Sequence, residues 1–129
     1  MKPHTSSDRN TRETSLFAVL EDLGYGIIVV NKKGTVASMN PTAKETLQLS
    51  ASRVVGKPVA ALGNALCTVL RQAVDGRAFA RNEDVDYQAG DGATKYLSCS
   101  VIIVEDGGGE SAFALLFRDE TSLVEREFA

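Results

Sequence analysis

Two β-like stretches stand near one end of this chain, three stand near the other, and only short helical stretches lie between them. That order constrains the fold more than any other feature. It suits one antiparallel sheet and does not suit the strand–helix alternation of a parallel α/β sheet. The first pair is GIIVVN and TVASMN, joined by the turn NKKG, where Gly34 is free to adopt positive φ. The last three are RNEDVDYQ, TKYLSCSVIIVED and SAFALLFRD, separated by AGDGA and by the glycines Gly107 to Gly109. Leu97, Cys99, Val101 and Ile103 alternate along one strand and predict a core-facing side.

The intervening stretches carry helix signals. Asn40 is placed to cap a helix whose first residue, Pro41, loses nothing by lacking an N–H. The run GKP, at Gly56 to Pro58, breaks the chain. NALCTVLRQAVDG then predicts a helix capped by Asn64 and ended by Gly76, with Leu66, Val69, Leu70 and Ala73 on its apolar face. Upstream, residues 11–23 predict an amphipathic flanking helix: Asn10 and Glu13 resemble a capping box, Leu16, Phe17, Leu20 and Leu23 fall on one side, and Gly24 stops it. Residues 1–10 read as a loose polar tail. At the far end, Thr121 or Ser122 is placed to cap a helix over residues 122–129, and Ser122 with Glu125 has capping-box spacing.

A chain of 129 residues suits one domain, and 43% hydrophobic content supports a packed core. The net charge of −3 argues against a general nucleic-acid binder. No signal peptide or membrane span is evident. Cys67 and Cys99 belong to no CxxC pair, so no zinc site is expected. They read as buried free thiols of a reducing, cytoplasmic compartment, with a disulfide between them as the alternative.

The segments GIIVVNKKGTVASMNPTAKETL, VVGKPVAAL, LRQAVDGRAF and FRDET, in this order and spacing, resemble a PAS domain over about Leu16 to Thr121. The resemblance implies an α+β fold: a five-stranded antiparallel sheet of order 2-1-5-4-3, short helices on one face and an N-terminal amphipathic helix. The domain proper would span residues 24–121. FRDET resembles the Asp-x-Thr element that ends many PAS domains where they join an output helix. Asp119 and Thr121 are therefore the expected signal-coupling residues, and residues 122–129 the start of a linker to an output module. The resemblance implies that this module would be a histidine kinase, a cyclase or a transcription activator, the kinase being the first expectation. The implied protein is a noncatalytic, homodimeric sensor. A ligand-free dimerisation scaffold and a small α+β enzyme are the rivals.

Leu66, Cys67, Leu70, Arg71, Tyr87 and Cys99 are the candidate lining of a small-molecule pocket between the main helix and the sheet, where Arg71 would meet an acidic group and Tyr87 would offer a hydroxyl. The alternative is a filled core with Arg71 on the surface. No cofactor is expected. Haem-binding relatives often use a His on the main helix, but the only His is His4; Cys67 lies on that helix and reads as a small hydrophobe. A LOV-type flavin would need a Gly-x-Asn-Cys-Arg-like run, where this chain has GKPVAAL. Glu83, Asp84 and Asp86 read as a solvated strand face rather than a cation site. No Ser/His/Asp set is available for catalysis.

Overall fold

The computed structural model describes residues 16–76, 80–105 and 111–123. Residues 16–22 are helical (α1). They are followed by strands β1 (Gly26–Asn31) and β2 (Val36–Met39), and by helices α2 (Pro41–Leu47) and α3 (Ala51–Val54). A 3-10 turn (Val59–Leu62), helix α4 (Asn64–Gly76) and strands β3 (Ala80–Gln88), β4 (Thr94–Glu105) and β5 (Ser111–Asp119) complete the domain. The five strands form one sheet of order β2-β1-β5-β4-β3, every pair antiparallel. This is the α+β architecture and strand order that the resemblance implies.

Local chemistry explains the elements. Asn31 Oδ1 accepts from Lys33 N and Thr35 N, each at 3.0 Å, and Gly34 takes φ +85°, so the β1–β2 turn closes as its residues predict. Asn40 does more than cap α2. Its Oδ1 accepts from Ala43 N and from Ile27 N, both at 2.9 Å, while its Nδ2 donates to Tyr25 O at 3.0 Å. One side chain thereby ties the start of α2 to the entry of β1. The edge strand β2 is covered by the GKP segment, with Val36 N donating to Lys57 O and Gly56 N to Val36 O.

One face of the sheet meets the central helices. Ile28, Val30, Val85, Leu97, Cys99, Val101, Leu115 and Phe117 from the strands pack with Ala43, Leu47, Val54, Leu62, Leu66, Val69, Leu70 and Ala73 in one core. The apolar face expected of α4 is the face it buries. Ile103 continues the alternation but lies 41% exposed at the end of β4. The N-cap position of α4 also differs from expectation. Gly63 O accepts the first helical bond, from Cys67 N, so Gly63 occupies the cap and Asn64 already lies inside the helix.

Helix α1 lies beside the opposite sheet face, where Phe17 and Ala18 share a cleft with Ile27 and Val29. Its apolar residues do not form the single side expected. Phe17 and Leu20 are half-buried, whereas Leu16, Val19 and Leu23 are 48%, 55% and 64% exposed. Gly24, at φ +89°, ends the helix as predicted. The expected Asn10–Glu13 capping box, Glu125 of the Ser122–Glu125 box, the tail and the glycine loop lie outside the described residues. No helix among the described residues is long and apolar enough to cross a membrane.

Candidate functional site

The last strand ends in a compact set of hydrogen bonds. Asp119 is the final residue of β5 and pairs with Leu97 of β4. Just past the strand, Glu120 N donates to Tyr96 O at 2.8 Å. Thr121 Oγ1 accepts from Tyr96 N at 3.0 Å and donates to Asp119 Oδ1. Thr121 N also donates to Asp119 Oδ1, at 2.9 Å. The Thr121 side chain thus continues the β4–β5 ladder one step beyond the backbone pairing, and residues 121–123 turn into a helix from that point. Lys95 Nζ stands 3.6 Å from Asp119 Oδ2.

Partial burial pushes the Asp119 carboxyl upward. The two Thr121 hydrogen bonds and the Lys95 ammonium oppose that and together hold it below the usual carboxylate range. The carboxylate is thus the favoured form, and it is the form that can accept both bonds. A shift of β4 against β5 must move Tyr96 N, and with it the first residue of the helix. Sequence reasoning found Asp119 and Thr121 but missed Lys95 and Tyr96. Their signal lies in strand register: Lys95 shares the alternation of Leu97 and Cys99, one step beyond the residue opposite Asp119.

The candidate pocket residues are only partly brought together. Leu66, Leu70, Tyr87 and Cys99 join the buried core, and the half-buried Cys67 packs against it. Arg71 is exposed. The Tyr87 hydroxyl already has a protein partner, donating to Leu47 O at 2.9 Å, and desolvation holds its pKa above the ordinary phenol value. Burial, reinforced by Asp84 and Glu83, pushes the Cys99 thiol up to about 12. Both cysteines are free. Glu83, Asp84 and Asp86 are exposed on the edge strand β3. Among the described residues, no group of three or more His, Cys, Asp or Glu side chains is arranged to hold a metal ion.

A five-stranded antiparallel sheet of this order, with short helices on one face and an Asp-x-Thr exit, defines a class of sensory modules found in histidine kinases and other signalling proteins. The chain belongs to the PAS family: the family model, PAS fold, matches residues 14–119. Solved structures agree on the fold. The PAS domain of BvgS from Bordetella pertussis is 20% identical, with a TM-score of 0.61, over 92% of this chain and 94% of that one. The PAS domain of nitrogen regulation protein NR(II) from Vibrio parahaemolyticus is 17% identical, with a TM-score of 0.60, over 79% and 94%. The light-state dimer of the fungal blue-light photoreceptor Vivid is 15% identical, with a TM-score of 0.56, over 73% and 76%. No curated protein matches this chain in sequence.

Proposed function

We propose that this domain is a noncatalytic sensory module, acting as a homodimer in a cytoplasmic histidine kinase, that passes a ligand or partner signal to the helix beginning at Thr121. The observation that carries the reading is the junction. The strand pair β4–β5 and the first helical turn share the Tyr96–Thr121–Asp119 hydrogen bonds, so a change in the sheet biases the helix. The exposed stripe of Leu16, Val19 and Leu23 on α1 supports a homodimer. Vivid, a structural neighbour, is described as a light-state dimer. No haem or flavin is expected to accompany the purified protein.

A hydrogen-exchange comparison tests the junction. Thr121→Ala and Asp119→Ala each remove a cap-like interaction worth about 1 kcal/mol, little against a typical domain stability of roughly 5–15 kcal/mol. Apart from the Tyr96 amide, which loses its acceptor in Thr121→Ala, the strands are expected to keep their protection while the amide of residue 121 loses its own. Equal loss in strands and helix would make the junction purely structural. A second reading, a dimerisation scaffold without ligand, is favoured by one observation: Leu66, Leu70 and Cys99 are packed to 0% exposure where a ligand would have to fit. Native mass spectrometry separates the two, since a retained small molecule supports the sensor.

A further inference from the structure

The outer face of the sheet carries sorted charges. Arg118, on β5, stands opposite Ser98 of β4, and its guanidinium carbon lies 5.4 Å above the centre of the Tyr25 ring, just ahead of β1. A cleft of about 220 Å³ runs over this row, lined by Leu20 of α1, Leu116, Arg118 and Glu120. A second cleft, of about 230 Å³, also includes Glu120 and continues to Asp84, Asp86 and Tyr96. Arg118 and Glu120 therefore line one cleft without pairing with each other, and beyond Glu120 the lining is acidic.

We propose that the first cleft, between Arg118 and Glu120, binds a small zwitterion, with a free α-amino acid as the simplest member of the class. Its carboxylate takes a forked pair of hydrogen bonds from Arg118, a geometry that guanidinium offers and ammonium does not. Its ammonium lies against the Glu120 carboxylate, and its carbon chain rests on Leu116 and Leu20. A simple anion would meet the acidic end, and a simple cation would meet Arg118, so only a molecule carrying both charges satisfies the whole cleft. At about 220 Å³ this cleft is below the roughly 300–1,000 Å³ of drug-sized ligand sites, which limits the ligand to metabolite size. The bound molecule would touch α1 on one side and Glu120, the neighbour of Thr121, on the other. That last consequence rests on the sensor reading; the binding does not.

Amide chemical-shift mapping of the full chain against free amino acids at millimolar concentration tests the site, with the N-acetylated and carboxamide forms as controls. Free amino acids are expected to shift Tyr25, Ser98, Arg118 and Glu120, and both blocked forms to fail. Arg118→Met and Glu120→Gln alter side chains at the protein surface and should each weaken binding about tenfold or more, equivalent to ~1.4 kcal/mol. Arg118→Lys, which keeps the charge without the fork, should bind between wild type and Arg118→Met. The proposal is overturned if no free amino acid binds, if the blocked forms bind as well, if both substitutions leave binding intact, or if the shifts fall on α4 and the core face of β4. Binding that leaves exchange at residues 121–123 unchanged supports the site and counts against the sensor reading.

Discussion

Gly26 shows how one residue can fix a neighbour. It pairs with Phe117 across β1 and β5, and a Cβ added there would stand 2.2 Å from the Phe117 ring. That ring is fully buried and has no room to retreat. Gly26→Ala should therefore destabilise the domain by roughly 1–3 kcal/mol through overpacking, and a second change, Phe117→Leu, should recover part of the loss in urea unfolding. Recovery tests the contact itself, because unrelated losses would add. The cysteines give a second prediction at this scale. Cys99 is buried with its thiol pushed up to about 12, while Cys67 is half-buried. A thiol reagent at neutral pH should label Cys67 readily and Cys99 only as fast as the domain opens; equal labelling rates would contradict the burial of Cys99. Residues of this kind differ in legibility. Gly34 and Asn40 act through neighbours in the chain, so their roles could be read directly. Gly26 could not, because nothing local names the ring that lies over it.

The elements show the same division between local and distant causes. Helix α2 starts where Asn40 and Pro41 say it should. Its other end depends on the β3–β4 hairpin. Gln48 sits at φ 56°, its amide nitrogen donating to Asp91 Oδ2 and its oxygen accepting from Asp91 N, each at 3.0 Å, while Tyr87 holds Leu47 O. The two partners of the clasp lie 43 residues apart, so no window along the chain reveals it. Tyr87→Phe should cost roughly 1–3 kcal/mol by leaving a buried carbonyl without its donor, measurable by thermal or urea unfolding. The wild type should also weaken in alkali. The folded-state pKa of Tyr87 is raised, so its contribution is complete below the ordinary phenol pKa near 10 and is lost as pH rises through the folded value. The variant should lack that part of the pH dependence. Helix α1 was legible as a helix, but not in its facing. Periodicity grouped Leu16 and Leu23 with Phe17 and Leu20, whereas contact with the sheet leaves the first two exposed. A helix with so wide an apolar surface can be rolled either way, and only the docked sheet decides.

For the molecule as a whole, element order was readable from strand and helix signals, while strand order came from the family resemblance. Nothing in the composition says that β5 must slip between β1 and β4. The hydrogen-bonded junction after β5 was legible where it follows a motif, at Asp119 and Thr121, and hidden where it follows register, at Lys95 and Tyr96. The pocket set was read from an apolar helix face and a facing strand, and that pattern describes a filled core as well as a cavity. Homodimerisation belongs to this scale too. Sedimentation should show association that rises with concentration and weakens when Leu16, Val19 and Leu23 are replaced by Ser; a monomer at every concentration would remove the dimer from the proposal. The central pairing of β1 with β5 has a mechanical consequence. Gly26, at the entry of β1, lies opposite Phe117, near the exit of β5, so the chain enters and leaves the sheet side by side. Tension applied between those two points peels the ladder from one end, parting its hydrogen bonds in turn instead of loading them all together. The sheet therefore yields to a pull along the chain at lower force than one loaded in shear, and it opens first beside the turn that Thr121 holds.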